Sequence, residues 1–232
     1  MNRAANFDGL AGVYRWMERL TFGRALERCR CAFVDEMLGA RSALVIGDGD
    51  GRFAARLLEK NPHVVVDAID ASGAMLDALV RSAGAHAGRV RTEVADARTW
   101  AARGTYDVIA THFFLDCLTT EEVRELACRL RECAGPSTCW IVSEFAIPEG
   151  WFGWMIAKPL VWFLYLAFKV LTGVHPWQLP DHRLALRDAG FVLARERQWR
   201  RGLLVSERWV AGTDVRQGTF TMQTGTGWPR GT

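Results

Sequence analysis

The sequence predicts an α/β chain built as three layers, with a seven-stranded, mostly parallel sheet between helices and an antiparallel strand at its C-terminal end. Three observations predict it. Short apolar runs alternate with helix-like segments from residue 43 to residue 143. A glycine-rich turn joins the first such run to the first helix. Two strand-like segments close the chain, separated by a short Arg-Arg-Gly linker. Strands alternating with helices imply βαβ units, and uninterrupted apolar runs imply strands covered on both faces.

The elements follow in order. Leu10, Tyr14, Met17 and Leu20 recur at helical spacing, as do Leu26, Cys29, Phe33 and Met37, so residues 8–38 predict two helices ahead of Gly39. Strands are expected at 43–46, 63–69, 90–94, 106–111 and 138–143. Helices are expected at 52–60, ended by Asn61-Pro62, at 72–82 with Ser72 as N-cap, and from Thr119 or Thr120 to about Cys133. Beyond Pro148, residues 151–171 are strongly apolar and aromatic. A helix from Asp181 to Ala189 and a hairpin of 191–197 with 203–210 complete the pattern. The reading is a single domain over 1–212: residues 1–40 form a helical lid, and 148–180 an insertion over the active-site end. Residues 213–232 are expected to form a flexible tail.

Composition narrows the function classes. The chain has 232 residues, half of them hydrophobic and 24% charged, which is globular composition. A net charge of +3 without a clustered basic patch gives no ground for a nucleic-acid partner. The six cysteines include no CxxC pair, and no metal-ligand spacing is present, so no metal is expected. Free thiols and an N-terminus without an apolar core segment lead to the expectation of a cytoplasmic protein.

The chemistry is concentrated in three places. Val45-Ile46-Gly47-Asp48-Gly49-Asp50-Gly51 leaves a strand and enters a helix. Glycines there permit a tight turn and close approach of a ligand. The spacing is G-x-G-x-G. The dinucleotide fingerprint would need a third glycine at 52, which is Arg52, and no Gly-Lys-Ser/Thr of a P-loop follows. Asp48 and Asp50 would crowd a pyrophosphate and suit a ligand bearing positive charge. Asp70 ends the second strand 19 residues beyond Gly51, where a carboxylate can accept both hydroxyls of a ribose. Asp96 closes the third strand and could accept from an adenine amino group. Together they point to an adenosine-containing ligand.

VIGDGDG, AIDASGAML, VADA and YDVIATHFFLDCLT, in that order, resemble the motifs of class I S-adenosylmethionine-dependent methyltransferases, over about residues 40–145. Residues 6–14 are similar to the N-terminal helix of the quinone-biosynthesis type. The resemblance implies the Rossmann-like methyltransferase fold and S-adenosyl-L-methionine as cofactor. It implies that Gly47, Gly49 and Gly51 border the methionine part, that Asp70 holds the ribose, that Ala71 and Met75 lie near the adenosine, and that Asp96 and Ala97 meet the adenine. One position departs from the family: the acid often found two residues before the first glycine is Val45 here. Asp48 is the residue that could compensate.

His112, in Thr111-His112-Phe113-Phe114-Leu115-Asp116-Cys117 at the end of the fourth strand, is the candidate general base, with Asp116 to orient it if the loop brings them together. The other reading of His112 is ring packing against the cofactor, beside Phe113. Tyr14 is a candidate lid residue. The aromatic stretch 151–171 either lines a pocket for a hydrophobic small-molecule acceptor, touches a membrane surface, or packs as core or dimer element. Its longest charge-free run, Pro159 to Phe168, is too short to span a bilayer. Two other classes stay open: a non-catalytic partner that keeps the cofactor fold, and a nicotinamide-dependent oxidoreductase, which Arg52 disfavours.

Overall fold

The computed structural model describes residues 24–101, 104–148, 150–151, 155 and 179–212. Residues 1–23 of the expected lid with Tyr14, most of the aromatic stretch 151–171, and the expected tail from 213 lie outside them. Seven strands are present: β1 (Ser42–Ile46), β2 (Val65–Asp70), β3 (Val90–Val94), β4 (Tyr106–His112), β5 (Ala134–Phe145), β6 (Phe191–Trp199) and β7 (Leu204–Ala211). Their order is β3-β2-β1-β4-β5-β7-β6. The strands β1 to β5 pair in parallel, whereas β7 runs antiparallel to both β5 and β6. The expected fold class and closing hairpin are therefore present.

Five helices accompany the sheet among the described residues: α1 (Ala25–Arg30), α2 (Arg52–Lys60), α3 (Gly73–Ala83), α4 (Thr120–Glu132) and α5 (His182–Asp188). Alternation along the strands sorts side chains onto two faces. On one, Ala43, Val45, Val108, Ala110 and Ile141 pack with Phe53 and Leu57 of α2 and Leu76 and Leu79 of α3. On the other, Leu44, Ile46, Ile109, Trp140 and Val142 pack with Val123, Leu126 and Leu130 of α4 and Leu186 of α5. Each fully buried Leu, Ile or Phe contributes about 1.5–3 kcal/mol, so both faces are needed to hold the sheet. Caps fix the helix starts. The Ser72 hydroxyl accepts from Met75 N–H as expected, and Thr119 forms a reciprocal capping box with Glu122.

Two boundaries differ from the sequence reading. The second N-terminal helix stops at Arg30, and Phe33, Val34 and Met37 reach the core through turns and a single 3-10 turn, Val34–Glu36. Apolar residues three and four apart satisfy a 3-10 path as well as an α-helix when a sheet is there to receive them. The fifth strand begins at Ala134 rather than 138. Its pairing with β4 jumps from Tyr106↔Ala134 to Val108↔Cys139, and that bulge accommodates Gly135 and Pro136.

Candidate functional site

The carboxyl ends of β1, β2 and β4 bring the glycine loop, Asp70 and the segment after His112 to one edge of the sheet. Gly47, Gly49 and Gly51 all have positive φ, at 69°, 62° and 79°. Their roles separate by what a Cβ would meet. At Gly51 it would stand 2.5 Å from Leu79 Cα, so this glycine lets α2 pack on α3. At Gly47 it would stand 2.8 Å from the Phe114 ring. At Gly49 nothing lies within 4 Å, so the loop presents bare backbone there.

The two acids of the loop do not face outward as a negatively charged pair. Asp48 is 2% exposed and is drawn into the start of α2, where its Oδ2 accepts the Ala54 N–H at 2.9 Å. Burial pushes its carboxyl up to about 7, against the opposing pull of the Arg30 guanidinium. Its Oδ1 has no partner among the described residues. The idea that Asp48 offsets the missing acid at 45 rests on that one oxygen. Asp50 is bound by Arg52 at 3.0 Å and lies 3.8 Å from Arg30. The expected attraction for a cationic ligand is thus largely neutralised by arginines close in space. Arg30 was missed by sequence reading. It is 4% exposed, and its guanidinium lies 5.3 Å from the Phe113 ring centroid.

A buried group whose folded pKa is raised stabilises the protein below its unfolded pKa, and that contribution is lost as pH rises through the folded value. Asp48 therefore weakens the fold between about pH 4 and 7. Asp48→Asn keeps a carbonyl for the Ala54 amide and removes the ionisation. It is expected to flatten the decline in stability over that window and to leave the variant about 1–3 kcal/mol more stable than wild type at pH 8. Denaturant melts at pH 5 and pH 8 check this.

Asp70 sits at the end of β2, half-buried, with Oδ1 accepting the Ser72 N–H at 2.8 Å. Burial raises its carboxyl above the ordinary range. Ala71 is exposed beside it and Met75 is half-buried in the first turn of α3. Ala97 is buried. Asp96, expected at the adenine, is paired with an arginine of its own loop. Its two oxygens form a fork with Arg98, at 3.0 Å to Nε and 2.7 Å to Nη2, which holds its carboxyl low. An exposed carboxylate two residues before an arginine is captured locally.

His112 does not meet Asp116. Its Nδ1 lies 3.0 Å from Ser143 Oγ, and its ring lies 4.4 Å from the Phe53 ring. It is 1% exposed, on the α2 face of the sheet, and burial holds its pKa well below the usual value. Its Nε2 has no partner among the described residues. Phe113, next to it, has a positive φ of 53° and packs at 5.0 Å on Phe145, which turns the chain sharply toward the opposite face.

On that opposite face Glu144, 1% exposed, accepts from Phe114 and Leu115 N–H groups at 3.1 and 2.9 Å through Oε1, and its Oε2 has no partner among the described residues. Glu144, Asp116, Phe145 and the start of α5 line a cavity of about 230 Å³. Behind it, fully buried Glu207 accepts from Arg183 Nε at 2.6 Å and Trp209 Nε1 at 2.8 Å, with His182 Nε2 at 3.1 Å. Among the described residues no group of side chains could hold a metal ion, and no helix is long and apolar enough to cross a membrane.

Comparison with known proteins fits this geometry. A family profile described as a methyltransferase domain matches residues 43–137, the stretch from β1 into the start of β5. Over that stretch the chain is similar to methyltransferase domains. Mitomycin 7-O-methyltransferase MmcR superposes with a TM-score of 0.67 at 18% identity, over 90% of this chain and 62% of that one. An O-methyltransferase family protein from Burkholderia thailandensis gives 0.61 at 21%, over 90% and 64%. The N-methyltransferase NodS from Bradyrhizobium japonicum, in complex with S-adenosyl-L-homocysteine, gives 0.61 at 12%, over 82% and 88%. The chain spans about three-fifths of the length of the two O-methyltransferase structures. A search of curated proteins finds no match. At these identities the likeness is one of fold: the seven-stranded sheet is shared with S-adenosylmethionine-dependent methyltransferase structures. The chain's own residues fit S-adenosylmethionine, with bare backbone at Gly49 and a carboxylate at the end of the next strand.

Proposed function

We propose that this chain transfers the methyl group of S-adenosylmethionine to a small molecule with an apolar body. The observation that carries the reading is the pairing of Gly49, at positive φ with nothing in front of it, with Asp70 at the end of the neighbouring strand. When bound, the donor supplies an electrophilic methyl on a sulfonium. The chain supplies alignment and exclusion of water. Asp70 orients the ribose, and the Phe113–Phe114 turn separates the cofactor edge from the cavity beyond Glu144. Phe145, Leu179 and Pro180 give that cavity apolar walls, which supports an apolar acceptor. The chain acts in the cytoplasm on this reading.

Incubation with isotope-labelled S-adenosylmethionine and a panel of phenols, hydroxyquinones and amines tests it. The expected result is formation of S-adenosylhomocysteine together with one product heavier by a CH2 group. No transfer to any acceptor, combined with no binding of either adenosyl compound, contradicts it.

A further inference from the structure

We propose that the Asp116–Glu144 carboxyl pair takes the proton from a hydroxyl-bearing acceptor, a small phenol or enol, bound in the cavity that the pair lines. The proposal rests on the methyl-transfer reading above and names the acceptor chemistry of that same site.

Position comes first. Asp116 lies in the 3-10 turn Leu115–Cys117 that follows β4, and Glu144 lies near the end of β5. Both are buried, at 8% and 1% exposure, and both line the cavity. Glu144 is anchored: its Oε1 holds the Phe114 and Leu115 amides, which fixes the turn that carries Asp116. Its Oε2 is a buried oxygen without a partner among the described residues, in a wall that also carries Asp116 and the apolar Phe145, Leu179 and Pro180. An unmatched buried polar atom costs about 1–3 kcal/mol, so its natural complement is a polar group on a ligand. The cavity also adjoins the cofactor edge. Phe114, two residues before Asp116, packs on Gly47, and Cys117, the next residue, feels the charge of Asp70 as well as those of Asp116 and Glu144.

Size and chemistry agree. A cavity of about 230 Å³ exceeds the roughly 150 Å³ that holds benzene, so it suits one substituted ring. Burial and the Asp116 charge together push the Glu144 carboxyl well above the ordinary range. Two carboxyls that line one buried cavity do not both ionise readily, so the pair retains affinity for a proton offered by a substrate hydroxyl. The acceptor O–H bond breaks and its proton passes to the pair's carboxylate. The hydroxyl oxygen's lone pair forms the new C–O bond to the donor methyl. The S–CH3 bond breaks and its electron pair stays on sulfur, leaving S-adenosylhomocysteine. A neutral amine would not need such a base for attack.

The other charged groups around the pair are committed. Burial keeps the Cys117 thiol protonated. Asp181 accepts from Leu184 N–H at the start of α5. His182 and Arg183 are engaged by Glu207, and Arg183 also by Glu196. His112 lies on the other face of the sheet.

The test uses the full chain saturated with S-adenosylhomocysteine, with 4-nitrophenol as probe, and titrates the bound phenol by its absorbance. A carboxylate beside the hydroxyl should hold the bound phenol's pKa above its free value, and Asp116→Asn should bring it down. Glu144→Gln, which keeps an oxygen for the two backbone amides, should shift the acid limb of kcat/KM to lower pH. Asp116→Asn should lower kcat at least about a hundredfold. Both variants should retain wild-type affinity for S-adenosylhomocysteine, which shows that they fold. A bound phenol whose pKa is the same in wild type and Asp116→Asn, or a phenol that does not bind, overturns the proposal while S-adenosylhomocysteine still binds. Failure of S-adenosylhomocysteine to bind contradicts the methyl-transfer reading instead.

Discussion

Asp70→Ala is expected to weaken binding of S-adenosylhomocysteine by about a hundredfold, which is about 2.7 kcal/mol. The carboxylate closes β2 beside the glycine loop, and one of its oxygens already accepts the Ser72 amide. Two hydroxyls of a ribose would be its remaining partners, and hydrogen bonds to a charged acceptor are worth about 1.5–3 kcal/mol each. Truncation loses them but also strands the Ser72 amide at the start of α3. That part costs stability, about 1 kcal/mol, or a few degrees in Tm. Asp70→Asn separates the two effects: its carbonyl can keep Ser72, so its Tm should stay near wild type while its affinity remains reduced. Calorimetry and thermal melts on the same samples check both. Equal affinity in wild type and Asp70→Ala would remove Asp70 from the cofactor site.

The second large effect concerns stability. Glu207→Ala is expected to destabilise the fold by about 3–4 kcal/mol, because removing one partner of a buried charged network leaves the others stranded. Glu207 has no exposed surface and gathers three donors, from Arg183, Trp209 and His182. Trp209 is equally buried and cannot turn to water, whereas Arg183 keeps Glu196. The network ties α5 to β7, beside the cavity that Glu144, His182 and Arg183 line. Glu207→Gln, which retains an acceptor, should cost less than half as much. The pH dependence has a definite sign. His182, Arg183 and Trp209 together outweigh the desolvation of Glu207 and hold its carboxyl below the ordinary 4.5. A depressed pKa gives stability that is present above the unfolded value and lost as pH falls through the folded one. Wild type should therefore lose its advantage over Glu207→Gln on acidification below about pH 4.5. Urea melts at pH 7 and pH 3.5 measure both the size and the sign.

The fold was legible because a buried parallel strand leaves an unambiguous trace. Ala43–Ile46, Val108–Ala110 and Trp140–Val142 are continuous apolar runs, and both cores receive alternate residues of each. The glycine turn was legible for a similar reason: three glycines in five residues, all found at positive φ, fit a place where backbone must turn or approach something closely. What the sequence concealed was direction. Period-two alternation tells that His112 and Glu144 face a layer but not which one, and the structure puts them on opposite faces. An acid inside a glycine loop reads as a ligand contact, yet Asp48 is captured by the amides that begin the next helix, which outcompete solvent for it. Asp96 is likewise taken by an arginine two residues away. The buried acids Glu144 and Glu207 left no local signal because their partners are remote: Glu144 answers amides 29 and 30 residues earlier, and Glu207 answers side chains 24 and 25 residues earlier. Arg30 was hidden among many arginines, and only its burial against Phe113 singles it out.

The measurement that bears most directly on the central claim is calorimetric titration of the wild-type chain with S-adenosylmethionine, S-adenosylhomocysteine and NADH. The account predicts micromolar binding of both adenosyl compounds at one site per chain and no binding of NADH. Binding of NADH alone, or of none of the three, would contradict it.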